Sequence, residues 1–404
     1  MKTTLGFVAA MAALVLLGGC AAMGLGTPAP ATPAGYVKGV ITAKGSIWVN
    51  GVEYQTTGSS VTVDGSSTGT DADLKVGMTV EFNASVDASG KATVKTVAYE
   101  SGVKGLVEVA GDLTTGQFTV LGQVVQTGLS TVIEGAADVT GVTVGKFVEV
   151  SGQLDATNVL VATRVEVKSF GSGDELKLKG EVSALDTVAK TFVLTLENAK
   201  TYTIDYSTAA ADKVDSALAN KSKVRVKFAT SPAGSTITAT SVTLKKQDVK
   251  PESGSKGELE GIVSSYVADP LSFTLDGTPV SATGDVASKA LAAGLADGKK
   301  VGVKGDVGAD GVLVATKIEV QKSDKELKGD LKEFDGAVTA VDITLDTFAI
   351  DSTTYYVTSK TIFHDKDWTG TDPLAKLGVG DQVEGKALKG TDGMYSVIVL
   401  EKHN

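Results

Sequence analysis

Residues 144–169 read VGKFVEVSGQLDATNVLVATRVEVKS, and the reading of this stretch decides the fold. From Phe147 to Ser151, Val148 and Val150 alternate with Glu149 and Ser151, the two-residue period of a half-buried strand. Gly152 to Asn158 supplies turn residues. Val159 to Val167 then alternates again, with Val161, Thr163, Val165 and Val167 on one face and Arg164, Glu166 and Lys168 on the other. The stretch is a β-hairpin that needs further strands to cover its apolar face, because an isolated hairpin is marginal in water.

The same hairpin returns from Val76, from Lys221, from Asp297 and from Val379, giving five copies. Gly77, Gly145, Gly298 and Gly380 hold one turn position, which Lys221 takes in the third copy; a glycine at a fixed offset points to positive φ or close packing. An earlier strand pair recurs as well. An apolar-x-Gly-x-apolar opening surrounds Gly39, Gly105, Gly180, Gly261 and Gly336, followed by Ile47 with Val49, Phe118 with Val120, Phe192 with Leu194, Phe273 with Leu275 and Phe348 with Ile350. Asn50-Gly51, Leu121-Gly122 and Asp276-Gly277 close three of these as tight turns.

Periodicity of this kind fixes the architecture before any single residue does. Each unit carries about five strands and is long enough to close its own core, so the expected fold is all-β: five tandem small barrels, strung as separate beads. Lys213 to Asn220 and Val286 to Leu295 have helical character between strands three and four, with Asp285 as an N-cap for the second. Five strands with a helix or loop at that point is the order of an OB-type barrel. The beads are expected at 36–101, 102–169, 176–246, 257–322 and 327–404. Polar runs at 169–175, 245–256 and 321–326 separate the later ones, with a hinge expected at 251–257, whereas Tyr99 to Gly102 leaves the first two no slack.

Residues 1–19 open with Lys2, carry an apolar run from Leu5 to Leu17, and lead through Leu17-Gly18-Gly19 to Cys20, the single cysteine of the chain. The run is too short for a membrane span and suits a secretory signal. The segment resembles a bacterial lipoprotein signal with its lipobox, which implies cleavage before Cys20 and acylation of that residue. By the same resemblance Ala21 rather than Asp after the cysteine implies export to the outer membrane, facing the periplasm or the cell surface. Residues 20–35, small and proline-bearing, read as a flexible tether. With its one cysteine so committed, the chain has no intrachain disulfide and its barrels hold by packing.

The formal net charge is -10, from 38 basic and 48 acidic residues. Only Arg164 and Arg225 supply the forked guanidinium donor, and aromatic residues are 5% of the chain, so a nucleic-acid partner is not expected. The partners expected are the membrane, through the N-terminal lipid, and an envelope protein or polysaccharide. His364 and His403 are the sole histidines; the common nucleophile-elbow, zinc, phosphate-loop and dinucleotide motifs are not found, and neither an enzyme nor a cofactor is expected.

The most distinctive local segment is IFHDKDWTGTDP, residues 362–373. His364, Asp365 and Asp367 have the chemistry of divalent-cation ligands. Trp368 with Tyr355, Tyr356 and Tyr395 could form an aromatic binding platform. The simpler reading is a polar loop joining strands three and four. Asp71, Asp73, Asp87, Asp276 and Asp310 do not fit a calcium loop and read as turn residues. Trp48 lies between the core positions Ile47 and Val49, so it points outward, to cover a junction between beads or to serve a ligand.

The lipobox together with the tandem G-x-V, V-N-G-V, L-x-x-G-x-x-V-E-V and A-T-x-V-E-V pattern resembles a bacterial family of exported repeat domains of unknown function. That resemblance implies the fold and brings no activity. The leading expectation is a membrane-anchored, non-catalytic binding or spacer array in the cell envelope. Its alternatives are an extracytoplasmic metal-handling protein or enzyme with its site in the fifth repeat, and a self-assembling structural surface protein.

Overall fold

The alternating stretches form strands. The structure, a computed structural model, describes residues 35–403 apart from 88, 233, 246–248, 323–330, 365–367, 369–372 and 391–392. The signal, Cys20 and the tether as far as residue 34 therefore lie outside the described residues.

Repeat 2 shows the pattern most plainly, with strands Val103–Asp112, Gln117–Val120, Gln123–Glu134, Phe147–Leu154 and Leu160–Lys168. The first pairs antiparallel with the second and the fourth, the second with the third, and the fourth with the fifth. The third and fifth run parallel and close the ring into a barrel-like unit. Within the hairpin Val148 faces Val167 and Val150 faces Val165, all four buried. A bulge between Ser151 and Gly152 sets Thr163 out of register. A side chain at Gly152 would collide with the Val161 carbonyl, so only glycine lets the strands approach there.

The same ring of pairings recurs in repeats 1, 4 and 5. Repeat 3 closes its ring with a fifth strand in two pieces, Thr236–Thr238 and Ser241–Leu244. Between strands three and four repeat 4 carries a helix, Gly284–Ala292. The helix expected over 213–220 does not form. A single 3-10 turn, Ala211–Lys213, precedes Val214, which bridges to Val242 and packs with Leu218 on the core. Its four-residue apolar spacing belongs to two loop anchors, not to a helix face. Repeat 1 instead inserts a hairpin, Ser60–Val63 and Ser66–Gly69, laid along its fifth strand.

The expectation of separate beads is not met among the described residues. The first strand of repeat 1, Tyr36–Lys44, pairs in parallel with that of repeat 4, Lys256–Ala268, through Tyr36–Lys38 and Gly257–Leu259, so one sheet crosses from one ring to the other. Lys104 and Lys177 pair the first strands of repeats 2 and 3. Apolar cores are shared too. Repeats 2 and 3 form one cluster, while Tyr36 and Ala98 of repeat 1 belong to the core of repeat 4. The hinge expected at 251–257 is likewise closed. Val249 is buried in the repeat 4 core, Asn83 Nδ2 donates to the Lys250 carbonyl at 2.8 Å, and the Gly254 amide donates to Val307 at 2.8 Å.

Candidate functional site

Two-residue alternation decides the fate of the aromatic residues in repeat 5. Tyr355 points inward, stacks on Phe348 at 5.3 Å and is buried, while its neighbour Tyr356 faces outward and is half-buried. Trp368 is 1% exposed and packs on Phe363 at 5.0 Å. Tyr395 lies 5.7 Å from Tyr355, with Lys332 Nζ 4.5 Å above its ring. The platform expected from the sequence is therefore not presented: Tyr355 and Trp368 are core residues of repeat 5. Trp48, half-buried, lies with Ala43 against that same core and covers the junction between repeats 1 and 5.

His364 stands at the edge of repeat 5, its Nδ1 3.0 Å from Glu401 Oε2. That hydrogen bond holds the Glu401 carboxyl below its ordinary range. Asp365 and Asp367 lie outside the described residues. Among the described residues no group of three or more His, Cys, Asp or Glu side chains is placed to hold a metal ion.

The polar groups that the structure gathers are ones whose place in a strand looked ordinary. Lys177 of repeat 3 is fully buried, and its Nζ bonds Asp64 of repeat 1 and, at 2.6 Å, the Ser101 carbonyl. Burial would raise the Asp64 carboxyl, but Lys177, Lys104 and the Ser101 amide outweigh it and hold it down to about 2. Lys104 reaches Glu149 at 3.0 Å, which accepts from the Tyr99 hydroxyl at 3.0 Å. Arg225 of repeat 3 grips Glu100 through Nε at 2.9 Å and Nη2 at 2.7 Å. On the other side Lys38 of repeat 1 bonds Asp276 of repeat 4 at 2.7 Å. Burial pulls the Lys38 ammonium down, but Asp276 and Glu81 hold it above its usual range. These pairs fasten the junctions between repeats.

Between the repeats lies a cleft of about 1540 Å³. Repeat 2 lines it with Leu129, Ile133 and Val161 interleaved with Gln126, Thr131 and Asp155. Glu260 and Lys300 of repeat 4 and Glu333, Asp335, Glu384, Lys386 and the His364–Glu401 pair of repeat 5 give a polar wall. Lys300 sits 2.7 Å from Glu260; burial raises that carboxyl, yet Lys300 and Lys360 hold it below its usual range. Carboxylates outnumber ammonium groups along the wall. The sequence could not show the cleft, because its walls come from four repeats and meet only when those dock.

A family model described as "Domain of unknown function (DUF5666)" matches residues 34–94, 104–166, 179–243, 260–319 and 335–396. No curated protein matches the chain. Among solved structures, Drosophila Unr CSD456 is 14% identical, covering 54% of this chain and 99% of its own at a TM-score of 0.18. A deletion mutant of the single-stranded DNA-binding protein from Thermus aquaticus is 12% identical, covering 37% and 82% at 0.13. A multidomain protein with nucleic-acid-binding domains from Streptococcus pneumoniae is 9% identical, covering 55% and 72% at 0.15. At TM-scores of this size the likeness says nothing about a partner. No helix among the described residues is long and apolar enough to cross a membrane.

Proposed function

The chain belongs to the DUF5666 family, with five copies of the domain in tandem, and from that premise we propose that it is a lipid-anchored, non-catalytic binding scaffold of the bacterial cell envelope. The barrels read as OB-like: strand order one-two-three-five-four, with three and five parallel, is that of a five-stranded Greek-key barrel. Anchoring at Cys20 rests on the lipobox of residues 17–20. The observation that carries the binding role is the inter-repeat cleft, with apolar and uncharged polar side chains interleaved on its repeat 2 wall and carboxylates in excess on its repeat 5 wall. Concave sites with an apolar floor and a few convergent polar groups are where ligands are held.

The occupant that suits this wall is a neutral polysaccharide or a basic peptide segment of an envelope protein. Retention of envelope glycan or protein by the full chain, compared with a Glu333→Lys, Glu384→Lys variant, tests it. Selective retention lost in the variant supports the reading; equal retention by both, or none by either, removes it. Incorporation of labelled palmitate that disappears in Cys20→Ala supports the anchor, and a Cys20→Ala chain that stays in the membrane fraction removes it. A second reading, metal handling in repeat 5, rests on His364 at the cleft wall beside Glu401. Zinc-binding heat lost on His364→Ala, Asp367→Ala would favour it, and no heat in the unaltered chain sinks it.

A further inference from the structure

Repeat 1 docks on repeat 2 by inserting a two-residue tip. Val76-Gly77, at the turn before its fourth strand, sits against Val132, Thr163 and Arg164 of repeat 2. Val76 is 7% exposed, and Val132 belongs to the core of repeat 1. Arg164 Nη1 donates to the Val76 carbonyl at 3.0 Å, Lys75 pairs with Glu166 at 2.9 Å, and the Thr79 amide donates to Ser151 Oγ at 3.0 Å. A methyl on Gly77 would come within 2.9 Å of the Thr163 carbonyl, so the seat fits a glycine. Plug and socket are both elements of the repeat itself.

The chain carries spare copies of the plug and, in repeat 4, a copy of the socket strand, where the third strand stops at Ser281 and Lys304 takes the place of Ser151. Val144-Gly145 in repeat 2 and Val379-Gly380 in repeat 5 repeat the plug, and their glycines take the same positive φ, 83° and 96° against 85° at Gly77. Here the valines are 64% and 72% exposed, and a methyl on either glycine would meet nothing within 4 Å among the described residues. The socket strand of repeat 2, Leu160 to Val167, reads LVATRVEV; repeat 4 has LVATKIEV from Leu313 to Val320. The two share one bulge: Ser151 faces Arg164 and Gly152 faces Ala162, as Lys304 faces Lys317 and Gly305 faces Ala315. Thr316, Lys317 and Glu319 thus stand where Thr163, Arg164 and Glu166 receive the plug. They are exposed, Lys317 pairs with Glu319 at 2.5 Å, and Val314 beside them is 45% exposed.

We propose that copies of this chain associate with one another by seating an exposed Val-Gly tip of one molecule on the repeat 4 strand Leu313–Val320 of the next. Plug and socket are different surfaces, so the contact is heterologous and builds rings or open chains rather than a two-fold dimer. The inference does not rest on the ligand-binding reading of the cleft.

Sedimentation of the full chain in detergent over a wide concentration range tests it, with the wild type compared against Val144→Asp, Val379→Asp and against Lys317→Glu. All three positions are exposed, so circular dichroism should be unchanged. Association that rises with concentration, and is weakened roughly tenfold or more when a valine's burial is replaced by a carboxylate's desolvation, is expected. Lys317→Glu should weaken it as well. A chain that stays monomeric throughout, or that associates equally in both variants, overturns the proposal.

Discussion

At the scale of single residues, the turn glycines divide by what they touch. Gly77, Gly145, Gly298 and Gly380 all have positive φ, and Lys221 adopts φ 68° at the equivalent place. A side chain there strains the backbone by about 1 to 2 kcal/mol, so Lys221→Gly should raise the stability of repeat 3 by about 1 kcal/mol in denaturant unfolding. Gly145→Ala should cost only that backbone strain, because the space around it is open. Gly77→Ala should cost roughly 1 to 3 kcal/mol more, since its methyl would press on Thr163 and Arg164 across a junction. Equal losses at the two positions would mean that repeat 1 is not seated on repeat 2. The positive φ was legible in the sequence as a recurrent glycine, but which glycine was an interface residue was not. The dipeptide Val-Gly is the same in all three copies, and only tertiary placement separates them.

At the scale of elements, the tight turns between second and third strands are docking points. Asn50-Gly51, Leu121-Gly122 and Asp276-Gly277 have positive φ at both residues, the geometry that matches strand twist. The first presses on Ser359 of repeat 5. The second is held on repeat 3 by Asn198 Nδ2 and by the Tyr202 hydroxyl at 2.8 and 2.9 Å, and the third meets Lys38 of repeat 1. Strands and turns were readable because alternation and turn chemistry are local. Docking was not, because Lys38 and Lys177 sit at polar positions of alternating strands and Asp64 in a hairpin turn, where all three look like solvent-facing residues.

Removing one partner of the Asp64–Lys177 pair by Asp64→Ala should destabilise the junction by about 3 to 5 kcal/mol, because a buried ammonium is left unpaired; calorimetric unfolding measures it, and a loss below 1 kcal/mol would place Lys177 in water instead. Asp64 and Asp276 are both held down to about 2 from an ordinary 3.8. A depressed carboxyl contributes stability that is present above its unfolded value and lost as pH falls through its folded one. The junctions should therefore hold above about pH 4 and weaken toward pH 2. Asp64→Asn with Asp276→Asn should flatten that part of the acid-unfolding curve.

At the scale of the whole molecule, five similar rings are fastened into an assembly by shared cores, buried ion pairs and two strand pairings among the described residues, one joining repeats 1 and 4 and one joining repeats 2 and 3. An isolated ring of about seventy residues has little core of its own, so the shared surfaces give physical sense to the docking. Hydrogen exchange at Tyr36–Lys38 and Gly257–Leu259 tests this most directly. A docked assembly predicts that successive amides in both segments are protected as strongly as the rings themselves, since each segment is flanked by strands on both sides. Alternate amides exchanging at the rate of an open strand edge, with the rings still protected, would contradict it and return the chain to separate beads.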